Sequence, residues 1–354
     1  MKNVLILCGG RSAEHEISLI SSKGIIDALD RKRFNPLVVG ISKTGAWHWE
    51  DPSSFYVGEY RADKIALNTA APLAAIVPYA NASGQGQILV GNETYEFDLV
   101  FPILHGQFGE DGTLQGMLDF IGVPYVGSHC SSSLLCMDKV WMKTICQQND
   151  VPVSEYVWLR SIEELDALKP AIAKLGFPLF VKPASQGSSV GISKVTSAAD
   201  LHKAVRFALD YDEKCLIERG IAGREIECGV LGRRSQPQSS ELGEIVPSPT
   251  IGWYSYEAKY ILEDGATTET PAKMDPASKK KIQTLAAQVF ALLECDGLAR
   301  VDFFLQADGK VYLNEVNTIP GFTPISMYPK MWEASGVGYS ELVSRLLDLA
   351  YVKR

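Results

Sequence analysis

A glutamate and an asparagine lie on one face of a predicted strand late in the sequence. The stretch LNEVNTIPG (residues 313–321) places Glu315 and Asn317 two positions apart. Because strand side chains alternate between faces, residues at i and i+2 point to the same side of a sheet. A carboxylate and a carboxamide directed at one spot predict a polar site rather than a packed core.

The run just upstream, ARVDFFLQADGKVYLNEVN, supplies a partner strand. Strand-forming residues flank a DG pair at 308–309, which is a strong signal for a two-residue hairpin turn. A tight turn there places Asp302 opposite Glu315 and Arg300 opposite Asn317. Opposed side chains have Cβ atoms about 4.5–5.5 Å apart. Two carboxylates at that spacing repel each other unless a cation lies between them.

Asp302, Glu315 and Asn317 offer oxygen atoms alone, which suits Mg²⁺ or Mn²⁺ rather than zinc. A small cation held by few protein ligands leaves coordination positions for phosphate oxygens. The alternative interpretation is an exposed polar strand face whose pairing has no function.

A second segment, FVKPASQGSSVGIS (residues 180–193), is typical of a phosphate-binding loop. Lys182 stands at the end of a predicted strand and is followed by two glycines and three serines. Backbone N–H groups of such a loop can surround phosphates, and the lysine adds positive charge. A flexible surface loop is the alternative. The sequence contains no G-x-x-x-x-G-K-[ST] loop, and its CGGRSA turn lacks the G-x-G-x-x-G dinucleotide fingerprint.

Composition limits the possible functions. The 354 residues are 46% hydrophobic and 21% charged, with a formal net charge of −8. An acidic protein is a poor candidate for broad nucleic-acid binding, although a local basic cluster can still bind a small anionic substrate. No apolar run approaches the roughly 18–20 residues of a membrane helix, and the apolar start is too short for a leader of about 7–15 apolar residues. Seven cysteines without a C-x-x-C pair indicate neither zinc nor disulfides, so we expect a reduced, cytoplasmic protein that binds neither nucleic acid nor membrane.

The elements that must position these residues form two kinds of region. An apolar strand (residues 2–8), an amphipathic helix and a strand at 37–41 make a βαβ opening, which predicts a parallel α/β sheet. Residues 43–97 show no period. Beyond residues 125–140, predicted helices (165–175, 197–210) and strands (178–183, 215–218, 223–231, 241–246, 298–317) indicate a more antiparallel α+β region.

Long motifs in fixed order connect these features to a known family. The Gly/Ser loop after a lysine-bearing strand, followed by a D…E-x-N hairpin, resembles the ATP-grasp superfamily. Within it, HGQFGEDGTLQG (105–116) and the run from 299 to 321 resemble the signature segments of the D-alanine–D-alanine ligases, and the similarity extends from GGRSAEHEISL (9–19) to NTIPGFTPISM (317–327). The resemblance implies an ATP-grasp fold with a Rossmann-like N-terminal parallel α/β domain (1–138), a small central α+β domain (139–219) and a mainly antiparallel C-terminal α+β domain (220–354).

The resemblance also implies a reaction and a set of residues. ATP and two D-alanines would give D-alanyl-D-alanine through an acylphosphate, with two Mg²⁺ or Mn²⁺ ions on Asp302, Glu315 and Asn317. The implied ATP-binding residues are Lys139, Lys182, Ser188, Ser189, Glu218, Ile221, Glu225 and Lys259. The implied substrate-binding residues are Glu14, His105, Arg300, Ser326 and Met327. The implied catalytic residues are Glu14, Ser188, Tyr260, Arg300 and Gly321.

Some of these residues have simpler interpretations. Glu14 could complement a helix dipole, His105 could be a structural hydrogen-bonding group, and Glu225 could be an ordinary ion-pair partner. Within HGQFGEDG, Glu110 and Asp111 are expected to fix the loop and cap a helix rather than to do chemistry.

Three alternative functions can be weighed from the sequence. D-alanine–D-lactate ligases usually carry histidine where this chain has Tyr260, in the expected lid WYSYEAKYILEDG (253–265). A non-catalytic nucleotide-binding regulator would not need the complete metal set with Arg300. A Rossmann dehydrogenase is excluded by the missing fingerprint. The family further implies a homodimer that serves peptidoglycan synthesis.

Overall fold

The computed structural model describes residues 1–247 and 266–351. It begins with the predicted βαβ unit: β1 (Lys2–Gly9), α1 (His15–Ala28) and β2 (Phe34–Ile41). β1 and β2 pair in parallel from Lys2 opposite Phe34 to Gly9 opposite Ile41. The apolar run of β1 is fully buried from Val4 to Cys8, which is the reason it shows no hydrophobic alternation.

Six short strands fill the segment that shows no sequence period. They are β3 (Trp47–Glu50), β4 (Tyr56–Gly58), β5 (Ile65–Leu67), β6 (Ala74–Ile76), β7 (Gly86–Val90) and β8 (Glu93–Phe97). β4 pairs with β5, and β6, β7 and β8 form a small antiparallel sheet. Strands of three to five residues are too short to establish a period of two.

β9 (Leu99–Pro102) pairs in parallel with β1 and completes a sheet in the order β3-β2-β1-β9. Three helices follow: α2 (Thr113–Ile121), α3 (Cys130–Met137) and α4 (Lys139–Gln148). Asp138 caps α4 by accepting hydrogen bonds from the backbone N–H groups of Val140 and Trp141. This cap fixes the start of the helix that carries Lys139.

The second sheet is antiparallel throughout. Its elements are β10 (Tyr156–Leu159), a short 3₁₀ helix (Ile162–Glu164), α5 (Leu165–Leu175), β11 (Leu179–Pro183), β12 (Ser193–Val195), α6 (Ala198–Leu209) and β13 (Cys215–Arg219). The strand order is β10-β13-β11-β12. Buried residues of α5 and α6, including Ile172 and Val205, share one core with Val181 and Ile217.

The third sheet is also antiparallel, in the order β16-β15-β14-β17-β18. Its elements and the helices around them are β14 (Arg224–Gly232), β15 (Gln238–Pro247), β16 (Ala266–Glu269), α7 (Pro276–Leu292), β17 (Gly297–Leu305), β18 (Val311–Asn317), α8 (Met327–Ala334) and α9 (Tyr339–Tyr351). The change from a parallel to an antiparallel arrangement along the chain is confirmed.

One packing feature was not predicted. Leu342 and Leu346 of α9 share a buried core with Val4 and Ile6 of the first sheet. The last helix therefore stabilises the N-terminal α/β layer, although the sequence assigns it to the C-terminal domain. The three predicted domain boundaries stay predictions. Within residues 1–247 and 266–351, no helix combines the length and the apolar character that crossing a membrane requires.

Candidate active site

The β17–β18 hairpin carries the predicted metal-binding residues. Asp302 lies opposite Glu315 and Arg300 lies opposite Asn317, as predicted. The predicted two-residue turn is wrong: the N–H of Gln306 donates to the carbonyl of Lys310 at 2.9 Å, which leaves a three-residue loop at 307–309. The last residue of that loop is Gly309, with φ of +80°. A three-residue hairpin loop that ends on a left-handed glycine is a common alternative to the two-residue turn.

A β-bulge restores the expected register at the polar end of the hairpin. Phe303 lies opposite Leu313, so Asn314 is an extra residue between that pair and the Asp302–Glu315 pair. Lys182 Nζ donates to Asn314 Oδ1 at 3.5 Å. Bulges next to functional sites commonly redirect a side chain. Here the bulge directs a carboxamide at the lysine of the predicted phosphate loop.

Side-chain cations lie against both opposed carboxylates. The guanidinium of Arg300 donates to the two oxygens of Asp302 at 2.8 and 2.7 Å. Asn317 Nδ2 donates to Asp302 Oδ2 at 2.9 Å, and Lys139 Nζ lies 3.6 Å from Glu315 Oε2. The expected repulsion between the carboxylates is therefore offset by positive side chains as well as by any bound metal.

A third carboxylate, which the sequence reading missed, extends this site. Glu227 of β14 lies opposite Asp302, so Glu227, Asp302 and Glu315 form a row across three neighbouring strands. Glu227 Oε2 lies 3.2 Å from Arg300 Nε. Burial lowers the pKa of Arg300, but Asp302 and Glu227 outweigh it and hold that pKa well above its ordinary value. The guanidinium is therefore a permanent positive charge beside the row.

The donor set fits a hard cation. No group of three or more His, Cys, Asp or Glu residues within residues 1–247 and 266–351 is arranged to hold a metal by itself. A cation on Asp302 and Glu315 would thus need the carboxamide oxygen of Asn317 and oxygens from a substrate. Oxygen ligands of this kind suit Mg²⁺ or Mn²⁺, which usually complete their shells with water and phosphate.

The predicted phosphate loop follows β11 and has an unusual backbone. Ser188 and Ser189 have φ of +52° and +60°, values that are uncommon for residues with a side chain. Lys139 Nζ donates to the carbonyl of Gln186 within the loop at 2.8 Å. Since Lys139 also lies near Glu315, one ammonium joins the loop to the metal hairpin. Strained backbone of this type is concentrated at functional sites.

A buried charge cluster lies beneath the loop. Glu218 Oε1 lies 2.5 Å from Lys182 Nζ, and Glu218 Oε2 lies 2.9 Å from the Nζ of Lys143, a residue without a predicted role. Although burial raises the pKa of Glu218, the two ammonium groups hold it well below its usual range. Burial lowers the pKa of Lys182, but Glu218 and more distant carboxylates, including Glu315 and Glu225, raise it overall.

The predicted adenine end of the site lies just after β13. The N–H of Arg219 donates to the carbonyl of Glu155 at 3.0 Å, and that of Gly220 donates to Pro178 at 2.9 Å. These bonds hold the backbone that leads to Ile221. Glu225 follows on β14, and its charge acts on Lys182. Glu225, which is predicted to bind ribose, is therefore close enough to Lys182, which is predicted to bind phosphate, for their charges to interact.

The predicted first-substrate residue, Glu14, lies between two loops. A Cβ added at Gly106 would be 3.3 Å from Glu14 Oε2, and one added at Gly187 of the phosphate loop would be 3.4 Å from the same oxygen. Glu14 precedes α1, where its side chain makes no capping hydrogen bond. The structure thus brings the N-terminal sheet and the phosphate loop together at this carboxylate.

His105 and Glu110 hold the backbone of the Pro-Gly segment. Nδ1 of the buried His105 is 2.8 Å from the carbonyl oxygen of Ile319, and Glu110 accepts from the N–H groups of Gly106 at 2.7 Å and Ile319 at 2.9 Å. Burial and the charge of Glu14 raise the pKa of Glu110 to about 8. The predicted loop-fixing role of Glu110 is confirmed, and the structural interpretation of His105 is supported by its contact with Ile319.

Asp111 has the second predicted structural role. It accepts from the N–H of Phe108 at 2.8 Å and from the N–H of Thr113, the first residue of α2, at 3.0 Å. This carboxylate both fixes the loop and satisfies a free N–H at the start of a helix. The expected capping role is therefore confirmed.

Gly321 and Ser326 are neighbours. A Cβ added at Gly321 would lie 3.2 Å from Ser326 Oγ, which also accepts from the N–H of Thr323 at 3.1 Å. Ser326 precedes α8 and Met327 is its first residue. The segment thus places the predicted oxyanion donor beside the predicted carboxylate site. Lys259 and Tyr260 lie outside the described residues, as does the expected lid.

Two family models match the chain. "D-ala D-ala ligase N-terminus" matches residues 3–128, and "D-ala D-ala ligase C-terminus" matches residues 145–348. The chain belongs to the D-alanine–D-alanine ligase family.

Individual members of this family match nearly end to end. The chain is 46% identical over 346 residues to D-alanine–D-alanine ligase A of Escherichia coli strain K12, covering 98% of this chain and 94% of that one. It is 45% identical over 356 residues to a D-alanine–D-alanine ligase of Oceanobacillus iheyensis, covering 99% and 95%.

Solved structures of the family give the same result. A D-alanine–D-alanine ligase from Coxiella burnetii has a TM-score of 0.83 at 36% identity, covering 99% of this chain and 94% of that one. VanG, a D-Ala:D-Ser ligase from Enterococcus faecalis, has a TM-score of 0.84 at 34% identity, covering 99% of both chains. The predicted family and the predicted ATP-grasp fold class are confirmed.

Three residues of the site were not predicted, and the spacing of polar residues in the sequence could have indicated two of them. MDKVWMK places Lys143 four residues after Lys139, on the same face of a helix. REIE places Glu227 two residues after Glu225, on the same face of a strand. Asn314 had no such signal, because only the bulge exposes it to Lys182.

Proposed function

We propose that this ligase joins two D-alanines into D-alanyl-D-alanine, with ATP converted to ADP and phosphate. The observation that carries this proposal is the position of Lys139. Its ammonium contacts both the phosphate loop, at the Gln186 carbonyl, and the metal hairpin, at Glu315. A nucleotide polyphosphate is the ligand that needs a lysine, a Gly/Ser loop and a hard-cation site in one place.

The nucleotide would lie along the contact between the second and third sheets. Lys139 and Lys182 hold the α- and β-phosphates, with Ser188 and Ser189 of the loop above them. The backbone from Glu218 to Ile221 receives adenine, Glu225 receives the ribose hydroxyls, and Lys259 reaches the γ-phosphate. The buried position of Lys182 supports this role, because a buried ammonium binds an anion more strongly than an exposed one does.

The first half of the reaction activates a carboxylate. Glu14 binds the ammonium of the first D-alanine, and its position between Gly106 and Gly187 directs that substrate towards the loop. The carboxylate then attacks the γ-phosphoryl group, and the bond to ADP breaks. The products are an acylphosphate and ADP.

The second half forms the peptide bond. The amine of the second D-alanine attacks the acylphosphate carbonyl, and phosphate leaves. Arg300 and the N–H of Gly321 stabilise the oxyanion that forms, and one such donor is typically worth about 3–4 kcal/mol. Ser326 and Met327, at the start of α8, receive the carboxylate of the second substrate. Tyr260, together with Ser188 and Glu14, would close the site against water.

Asp302, Glu315 and Asn317 would hold two Mg²⁺ or Mn²⁺ ions. When bound, the metal supplies positive charge beside the phosphate oxygens during transfer. The oxygen donors on β17 and β18 fit that role.

The cellular setting follows from the proposed product. A D-alanyl-D-alanine ligase supplies peptidoglycan precursors, and we expect a cytoplasmic homodimer. We also propose the boundaries 1–138, 139–219 and 220–354 for its three domains, supported by the separation of the three large sheets along the chain.

An ADP-release assay tests the reaction. ADP should form only when D-alanine is present, with D-alanyl-D-alanine identified by mass, and L-alanine, D-lactate and D-serine should give much less. Lys182→Met should abolish most of this activity. The matched control, Lys194→Met, replaces an exposed lysine of β12 in the same sheet and should leave activity near wild type. ADP release that does not depend on D-alanine would contradict the proposal.

A further inference from the structure

Lys143 occupies a position that is costly for a lysine. Its side chain is 1% exposed, and burial lowers the pKa of its ammonium, an effect that Glu218 opposes. Burying a charge is unfavourable unless it is well paired. Even a well-paired buried charge often stabilises the folded protein no more than an apolar residue of similar size would. Stability alone is therefore a weak reason for a lysine at this position.

The contacts of Lys143 form a closed network. Its Nζ lies 2.9 Å from Glu218 Oε2 and donates to Ser154 Oγ at 2.9 Å. The hydroxyl of Ser154 in turn donates to Glu218 Oε2 at 2.8 Å. Lys143 and Ser154 thus occupy one oxygen of the carboxylate, and the other oxygen, Oε1, faces Lys182 at 2.5 Å.

The charges of this network do not cancel. A buried pair of Glu218 and Lys182 alone would be neutral, and Lys182 would present little net charge to a ligand. With Lys143 included, the group carries one excess positive charge. Lys182 also contacts Asn314 Oδ1, next to Glu315 of the metal hairpin, so its ammonium lies on the side where the phosphates are placed.

We propose that Lys143 is a positioning residue for nucleotide binding: it balances the charge of Glu218, so that Lys182 keeps its positive charge for the phosphates. This inference rests on the proposed function, because it takes Lys182 to be a phosphate ligand. It assigns no contact between Lys143 and the nucleotide. Its effect is confined to the phosphates and leaves adenine recognition unchanged.

Four proteins test the proposal through a charge count. Wild type carries one excess positive charge in the network, Lys143→Met carries none, Glu218→Gln carries two, and the Lys143→Met/Glu218→Gln double variant carries one. The affinity for ADP with Mg²⁺ is measured by calorimetry, and that for adenosine by competition against ADP. The ratio of the two affinities reports the phosphate contribution without requiring turnover.

We expect the ratio to follow the charge. Lys143→Met should weaken the affinity for ADP by at least about tenfold, because one unit charge is lost near a buried anion site. The affinity for adenosine should change less than twofold. The double variant should recover a ratio close to that of wild type, and Glu218→Gln, with one more positive charge, should exceed wild type. If Lys143→Met does not fold, the other three proteins still decide, because the double variant must match wild type and fall below Glu218→Gln.

Two results would overturn the inference. Equal weakening of ADP and adenosine by Lys143→Met would show a purely structural role. Failure of the double variant to recover the ratio would show that charge balance is not the cause. Failure of the proposed function is a different result, because wild type would then bind ADP no more tightly than adenosine.

Discussion

Glu315→Gln separates catalysis from stability at the metal hairpin. The side chain is 25% exposed, its ion pair with Lys139 spans 3.6 Å, and Lys139 keeps its hydrogen bond to the Gln186 carbonyl, so losing this pair should cost about 1 kcal/mol of unfolding free energy. The same change removes a carboxylate charge from a proposed ligand of the metal. We expect turnover to fall by at least about 10²-fold, which corresponds to about 2.7 kcal/mol of transition-state stabilisation. The catalytic loss should therefore exceed the folding loss.

A control variant on the same sheet should behave in the opposite way. Glu244 accepts a hydrogen bond from Arg224 Nε at 2.7 Å and forms a second contact with the same guanidinium. Its neighbour Gly243 is the register partner of Glu227, so Glu244 lies on the sheet face opposite the carboxylate row. Glu244→Gln should lower the urea midpoint and leave turnover near wild type.

The measurements are turnover in the ADP-release assay at saturating Mg²⁺ and unfolding in urea for both variants. A folded Glu315→Gln enzyme that keeps its turnover within about threefold of wild type would refute the metal-ligand assignment. Parallel losses in both variants would show instead that the assay reports stability.

Three further outcomes are expected. Lys182→Ala should raise the KM for ATP far more than that for D-alanine, and steady-state kinetics with each substrate varied in turn would expose a misplaced lysine. Gly321→Ala puts a Cβ 3.2 Å from Ser326 Oγ and should mainly impair D-alanine binding, so an effect confined to the ATP constants would contradict it. Burial and Glu14 raise the pKa of Glu110 from 4.5 to about 8, so its protonated form favours folding. Relative to Glu110→Gln, wild type should lose unfolding free energy as pH rises from about 4.5 to about 8, and pH-independent urea midpoints for this pair would refute that link.

The sequence and the structure agree where short-range geometry decides. The alternation of strand side chains was enough to place Glu315 and Asn317 on one face of β18, and the βαβ opening followed from apolar runs and helical spacing. The hairpin turn was wrong, yet the register at the site was right. A three-residue loop shifts the pairing by one residue, and the bulge at Asn314 shifts it back before Asp302. Neither the longer loop nor the bulge can be detected from the spacing of hydrophobic residues in the sequence.

Long-range contacts account for the rest of what was missed. The position of Lys143 on the face of Lys139 is visible in the sequence, but its partner Glu218 is 75 residues away. Glu218 reaches the buried cluster because β13 lies between β10 and β11, and this strand order brings Glu218 next to Lys182. The three-residue strands between residues 43 and 97 also depend on neighbouring strands for their stability. Three residues are too few to show a hydrophobic period in the sequence.

Glu218 illustrates why a residue can have two functions that sequence reasoning sees as one. Its family role uses the backbone at the end of β13, where the chain turns towards Ile221. Its side chain points into the buried cluster and binds two lysines. A conservative change such as Glu218→Gln therefore alters the charge of the buried cluster and keeps the backbone of the adenine segment. Lys143 lies on α4, outside the adenine segment, and its described polar contacts with the cluster are to the side chains of Glu218 and Ser154. A change at Lys143 consequently isolates the charge on Lys182, which makes it the more informative site for dissecting nucleotide binding.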